Sequence, residues 1–409
     1  MIGLMPPARF ALTAAFATLT AVSSAQEPQR PVIRSGVELV IVDVQVVDRE
    51  GHPIESLRAE DFEVSIDGRR REVVSAELVR HGTSEARAAG PAGVPATEPA
   101  PAPPIAAGRR FILAIDEHSF HPATARAAMQ AAKQFIERLR PNDLVGLYTY
   151  PTGSAHSDLT DDHAAVIRAL DGVTGLLEIP MTRYRISTSE AIDIASGDTD
   201  ELRRVMKREC PGDPTCRDSV WADSMALAQT FEMRVSQSLG GLRALFDGLK
   251  ALDGRKTLVM ISGGLLSSES AGGRVKMTGD IQAMGAEAAR SNTNLYVLHI
   301  DWSFLQAYSA SRRGGMSETL FRDMSQNAAG LEQFADAGGG AYLRVQTGAG
   351  ERGFERILRE NSAYYLLGVV VEPADRDGQP HRIQVRTRQR GATIRSRAFV
   401  IIPDSNDAR

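Results

Sequence analysis

The sequence predicts an α/β protein: a doubly wound, mostly parallel sheet inserted in a small antiparallel β-sandwich formed by the N- and C-terminal segments. Three observations predict it. Between residues 109 and 362, short apolar runs alternate with stretches of helical periodicity, the pattern of parallel strands joined by crossover helices. Residues 37–80 instead carry β-branched runs with partial two-residue alternation, and residues 364–402 do the same. These two β pieces flank the α/β region, so pairing them buries both.

In chain order, Val37–Val47 reads as a strand, Asp48–Pro53 as a turn and Phe62–Ile66 as an alternating strand. Asp67-Gly68 is a hairpin signal, because both residues tolerate positive φ. Val73–Val79 then returns. Residues 82–108 are dominated by Ala, Gly and Pro, a linker composition that buries no core. Phe111–Ile115 is an apolar strand buried on both faces. Ala123–Leu139 places Met129, Ala132, Phe135, Ile136 and Leu139 on one helix side. Leu144–Tyr150 is the next strand, and Asp161-Asp162 caps a short helix ending at Leu170. Residues 174–224 read as an irregular, polar insertion, and Met225–Leu252 as a long helix interrupted at Gly240-Gly241. Strands follow at Thr257–Ile261, Leu295–Ile300 and Ala341–Val345, with helices at Met277–Arg290, up to Ala337, and at Gly353–Arg359. The tail gives three strands, Tyr364–Val371, Ile383–Thr387 and Thr393–Ile402.

The expected organisation is therefore a signal peptide over 1–25, a β segment over 32–81, the linker over 82–108, an α/β domain over 109–362 and a β segment over 363–403. The signal rests on Arg9, the apolar run Phe10–Val22, too short for a membrane span, and the small residues Ser23, Ser24 and Ala25, after which cleavage is expected. No later stretch has the ~18 apolar residues of a span. Export to the periplasm or beyond the cell follows, with no membrane span once the signal is removed. The chain has 409 residues, 43% hydrophobic and 24% charged, with net charge −4 from 47 basic and 51 acidic residues. That balance supplies a core and excludes the basic footprint of a nucleic-acid binder. In an exported chain, Cys210 and Cys216, bracketing a turn-rich spacer, favour a local disulfide over two free thiols.

In a doubly wound sheet, ligands sit beyond the carboxyl ends of the strands. The residues there are Asp116-Glu117-His118-Ser119-Phe120-His121 after the first α/β strand. With them the chain resembles the von Willebrand factor type A (VWA) family, and within it a bacterial exported group described as VWFA-related. The resemblance rests on Arg110–Asp116, Leu139–Val145, Gly254–Gly264, Phe334–Gly339, Tyr364–Gly368 and the stretch from Leu57 to Gly68, in that spacing over most of the chain. It implies a Rossmann-like sheet and protein binding. Many family members hold Mg²⁺ at an Asp-x-Ser-x-Ser loop completed by a later Thr and Asp. Mapped here, Asp116 matches the first Asp and Thr160 the Thr, but His118 and Phe120 replace the serines and Gly263 the last Asp. A hard divalent cation needs more oxygens than that, so the adhesion site is degenerate and no cofactor is expected. Any Mg²⁺ or other divalent cation would rest on Asp116 and Thr160.

The expected partner-binding rim is Asp116, Glu117, Ser119, Thr160, Asp161, Ser262 and Gly263, roofed by the 174–224 insertion, with an unknown protein of the cell envelope or outside the cell as partner. A competing reading groups Asp116, His118 and His121 as transition-metal ligands of a hydrolase, against the plainer one of solvated loop residues. Catalytic motifs are missing. There is no Gly-x-Ser-x-Gly elbow, no His-Glu-x-x-His and no phosphate loop, and Ser262 lacks the preceding Gly because Met260 stands there. The chain is expected not to be an enzyme. Arg386, Arg388, Arg390, Arg395 and Arg397 form a basic stripe that reads as a solvated strand face, as a contact for an acidic partner or, in a third reading of the chain, as the glycan-binding surface of a structural cell-envelope protein.

Overall fold

In the computed structural model, residues 38–81, 108–178, 182–213, 215–268, 277–301, 317–346 and 350–404 are described. The signal segment and nearly all of the linker lie outside them. The described residues belong to one compact unit.

The α/β part has six strands in the order β10-β9-β8-β5-β6-β7. They are β5 (Arg110–Asp116), β6 (Leu144–Tyr150), β7 (His156–Thr160), β8 (Lys256–Ser262), β9 (Thr293–Asp301) and β10 (Gly339–Gln346). All pairings are parallel except β6 with β7. Helices cover both faces, which is why the central strands are apolar throughout rather than alternating. On one face, α1 (Pro122–Glu137), α2 (His163–Leu170) and α8 (Gly350–Glu360) bury Phe135, Val166 and Phe354 against Phe111, Leu113 and Ile115. On the other, α5 (Cys216–Leu249), α6 (Thr278–Arg290) and α7 (Ser317–Ala337) bury Phe246, Met284 and Phe334 against Ile112, Ala114 and Met260.

The chain leaves β5 for β6 on one side, then returns through β8, β9 and β10 on the other. The switch of winding direction therefore falls between β5 and β8.

The sandwich interleaves the chain's two ends. One sheet runs β13-β1-β11-β4 and the other β14-β12-β2-β3. From the N-terminal side come β1 (Leu39–Val47), β2 (Phe62–Ile66), β3 (Arg69–Arg71) and β4 (Val73–Arg80). From the C-terminal side come β11 (Ala363–Val370), β12 (Pro380–Thr387), β13 (Thr393–Arg395) and β14 (Phe399–Ile401). Inward residues of both sheets, Val42, Val44, Phe62, Val64, Leu367, Val369, Ile383 and Val385 among them, form its core. Asp67 and Gly68, at φ 48 and 78, turn β2 into β3 rather than into the 73–80 strand, which crosses to the other sheet. The single strand expected over 393–402 is broken into β13 and β14, one for each sheet.

The sandwich packs on the amino ends of the parallel strands. Buried Gln45 donates to Asn361 at 2.9 Å and accepts from the Tyr296 hydroxyl at 2.8 Å, while Thr257 donates to Asn361 at 3.0 Å. Asp43 lies between Arg397 and Arg255, and Arg255 stacks 4.3 Å from the Tyr364 ring centroid. The expected arginine stripe is thereby split. Arg395 and Arg397 turn inward to Glu360 and Asp43, and only Arg386, Arg388 and Arg390 stay exposed.

The 174–224 insertion is not irregular. It forms α3 (Thr188–Ala195), α4 (Thr199–Glu209) and the first turns of α5, around a small core of Tyr184, Ile194, Leu202, Val205, Cys216 and Val220. Cys210 and Cys216 are disulfide-bonded, with Cα atoms 6.6 Å apart, within the reach of such a bond. α5 runs unbroken for 34 residues through Gly240-Gly241. Gly241 is needed there because a Cβ would stand 2.7 Å from Tyr150 Cβ.

Candidate functional site

Asp116 ends β5 as its apolar run gives way to a 3-10 turn, Glu117–Ser119. Its side chain is buried at 1% exposure. Ser238 of α5 donates to one carboxylate oxygen at 3.2 Å, and Ser262, closing β8, donates to the other at 3.2 Å. Burial pushes the Asp116 carboxyl up to about 7, against the opposing effect of the Ser262 and Ser238 hydroxyls. Ser119 ties the two loops together: its hydroxyl donates to the Asp116 carbonyl at 2.8 Å and accepts from Gly263 N–H at 2.7 Å. Glu117, equally buried, accepts from Thr152 and Ser154 of the β6–β7 loop. The Tyr150 hydroxyl is buried without a hydrogen-bond partner among the described residues, and burial followed by the Asp116 charge raises its pKa.

Beside β8, His299 of β9 is buried, and burial lowers its pKa to about 4. Its Nδ1 lies 2.6 Å from the Tyr342 hydroxyl of β10. A polar belt thus runs along the carboxyl ends of β5, β8 and β9, with Tyr342 reaching it from the middle of β10. The segment after α2 closes against the turn that follows β5: Leu176 N–H donates to Glu117 O at 2.8 Å and Leu177 N–H to Phe120 O at 2.9 Å. Gly175 permits this approach, since a Cβ there would lie 2.3 Å from the Phe120 carbonyl oxygen.

Of the residues expected at the rim, Asp116, Glu117, Ser119, Ser262 and Gly263 are brought together. Thr160 and Asp161 are not. β7 runs antiparallel to β6, so Thr160 pairs with Val145 at the start of β6, whereas Asp116 pairs with Tyr150 at its end. Five strand residues separate the two levels, roughly 16 Å. Among the described residues the Thr160 hydroxyl accepts from Asp162 N–H in its own turn, and Asp161 is exposed at the far edge.

The alternative metal set is not assembled either. Among the described residues no group of three or more His, Cys, Asp or Glu side chains is placed to hold a metal ion. His118 is half-buried, its pKa lowered by burial and then by Arg234, whereas His121 stands exposed at the start of α1. The residues present do not fit Mg²⁺ as the family resemblance would place it. Asp116 spends both oxygens on serine hydroxyls, Phe120 fills a ligand position with a fully buried ring, and Thr160 is at the other end of the sheet.

Sequence reasoning missed Ser238, Tyr150, Thr152, Ser154 and His299. Ser238 had a signal, a polar residue among Val235, Leu239 and Leu242 on the apolar side of its helix. The others lie at strand ends or in a loop whose approach to Asp116 depends on tertiary register.

The fold and site define a doubly wound α/β domain set in a sandwich, with a hydroxyl-rich rim at its switch point. No family model and no curated protein matches the chain. Among solved structures it is similar to the SpRpn10 VWA domain, at 13% identity over 59% of this chain and 89% of that one, TM-score 0.27. It is similar also to the human COPII-coat protein Sec24c, at 10% identity, 73% and 44% coverage and TM-score 0.28. A third is the pilus adhesin SpaC from Lactobacillus rhamnosus GG in its open conformation, at 9% identity, 84% and 41% coverage and TM-score 0.32. The chain spans less than half the length of the last two. At such TM-scores no functional argument rests on these likenesses.

Proposed function

We propose that this chain is an exported VWA-type binding protein, not an enzyme, and that a protein partner in the cell envelope or outside the cell docks on the carboxyl-end rim of the α/β sheet. The observation that carries the reading is the arrangement of Asp116 with Ser238 and Ser262. The carboxylate at the switch point is enclosed by hydroxyls from α5 and β8 and so holds the rim together. Recognition falls to the groups around it that reach solvent: His118, His121, Gly263 and the Thr152–Ser154 loop. The Cys210–Cys216 disulfide supports an oxidising compartment. Among the described residues no helix is long and apolar enough to cross a membrane. The adhesion site of the resembled family is, on this reading, degenerate, and binding is independent of divalent cations.

The test is affinity capture from a periplasmic extract, with and without a chelator, using the wild-type chain, His121→Glu at the rim and Asp161→Arg at the far edge. The expected result is a partner retained in chelator and by Asp161→Arg but lost by His121→Glu. Release by chelator, or loss with Asp161→Arg alone, would overturn the reading.

A further inference from the structure

The sandwich carries a second surface, at the opposite end of the α/β sheet from the rim. On β12, Ile383 and Val385 point into the core while Arg382, Gln384 and Arg386 point out. Register places Gln384 beside Ser65 of β2, and Ser65 beside Arg70 of β3; Arg386 lies beside Glu63. Arg388 continues the row beyond the end of β12. This face therefore presents four arginines, Arg70, Arg382, Arg386 and Arg388, around Glu63, with Asp67 at its end accepting from the Arg382 backbone N–H at 2.9 Å. Glu63 is shared by Arg388 at 3.1 Å and Arg70 at 3.5 Å. Arg382 and Arg386 are exposed, and among the described residues neither side chain has an ion-pair or hydrogen-bond partner. The whole chain is acidic, at −4, so this is a local excess of positive charge against the general balance.

We propose that this face docks an acidic polysaccharide through its carboxylates, a function separate from the rim's. Guanidinium forks match planar carboxylates in a paired hydrogen-bond geometry. Arg382, Arg386 and Arg388 follow one another at four- and two-residue intervals of a strand, about 13 and 6.6 Å, and Arg70 stands two strands away, about 9.6 Å, so a single small anion meets at most two of them, as Glu63 does. An extended polymer with repeating charges meets several, and each weak contact adds to the others. The residues between the arginines are Gln384 and Ser65, hydrogen-bonding groups suited to sugar hydroxyls. No exposed aromatic or large aliphatic side chain stands among them to serve as the buried anchor a protein partner needs, or as a wedge for a lipid surface.

The experiment measures binding of the full chain to immobilised polygalacturonate and, in parallel, to phosphatidylglycerol/phosphatidylcholine vesicles. Four variants accompany the wild type. Arg382→Ala/Arg386→Ala removes the unpaired charges of the face. Arg126→Ala/Arg217→Ala removes equal charge from exposed helix positions elsewhere. Glu63→Gln frees Arg70 and Arg388, and Glu137→Gln is its charge-matched control on α1. The expected result is salt-sensitive polygalacturonate binding, weakened about fivefold by the first double variant, unchanged by the second, and strengthened by Glu63→Gln but not by Glu137→Gln. Equal loss in both double variants, no wild-type binding to polygalacturonate, or arginine-dependent binding to vesicles in its place would overturn the proposal. The four substituted arginines are exposed and form no ion pair or side-chain hydrogen bond among the described residues, so an unchanged circular dichroism spectrum is expected for both double variants.

Discussion

Asp116 and Ser262 end the two neighbouring strands from which the chain winds in opposite directions, and the Ser262 hydroxyl donates to the Asp116 carboxylate at 3.2 Å. Among the described residues no cationic side chain pairs with that carboxylate; Ser238 supplies the other donor. The rim is thus held by neutral hydrogen bonds around a group whose charge is disfavoured by burial.

That arrangement has a pH signature. The Asp116 carboxyl titrates near 7 in the folded chain and near its ordinary 3.8 when unfolded. The folded state then binds the extra proton between those values, so this group's contribution is complete below about 4 and is lost as pH rises through 7. His81 and His299, lowered to about 4 chiefly by burial, act in the opposite sense between about 4 and 6.5. Asp116→Asn removes only the first effect. Relative to wild type, the variant is expected to gain a few kcal/mol between pH 5 and pH 8, read from urea unfolding midpoints at the two values. A constant difference across that range would contradict the burial of an ionisable Asp116.

Asp143 anchors the other end of β5. Its carboxylate accepts from the Arg109 backbone N–H at 3.0 Å, from the Arg109 guanidinium at 2.5 Å and from Arg140 N–H at 3.0 Å. Burial alone would raise its pKa, but Arg109 and these N–H groups bring it below the ordinary carboxylate value. Its contribution is therefore present above pH 4 and lost only in stronger acid. Asp143→Ala leaves the buried Arg109 uncompensated and is expected to cost about 3–5 kcal/mol at pH 7, measured by chemical denaturation.

Gly175→Ala tests the closure against the turn that follows β5. The new methyl meets the Phe120 carbonyl, a backbone atom that cannot swing aside. A destabilisation of about 1–3 kcal/mol is expected. Faster amide exchange at Leu176 and Leu177, whose N–H groups bond the 117–120 turn, should accompany it. Unchanged exchange there would mean that the turn is held by other contacts.

The Cys210–Cys216 bond closes a short loop, six positions apart, between α4 and α5. Cys210→Ser/Cys216→Ser is expected to lower the local stability of the α3–α4 subdomain by roughly 2 kcal/mol. Limited proteolysis should then cut between 199 and 215 while the central sheet stays intact. Resistance equal to wild type would show that the satellite core and its ion pairs suffice.

Much of this architecture was legible because burial on both faces leaves continuous apolar strands such as Phe111–Ile115 and Thr257–Ile261, and because the two β tails need each other. β7 was not. Its sequence, His-Ser-Asp-Leu-Thr, has no apolar alternation, as befits a short edge strand, and missing it put Thr160 at the wrong end of the sheet. The α3 and α4 helices did leave signals: Ser187 and Glu190 stand at capping-box spacing, and Asp198 caps the next helix. The polarity of the segment masked them. Residues that meet only through register, as Tyr150 and Ser238 meet Asp116, leave no local trace in the chain.

The most direct test of rim docking is site-resolved cross-linking. A photoreactive residue is placed at His121, on the rim, or at Asp161, some five strand residues below it, and the protein is irradiated in its own cells. Partner adducts from position 121 and none from position 161 are the expected result. Adducts from 161 alone, or equally from both, would contradict a partner seated at the carboxyl ends of the strands.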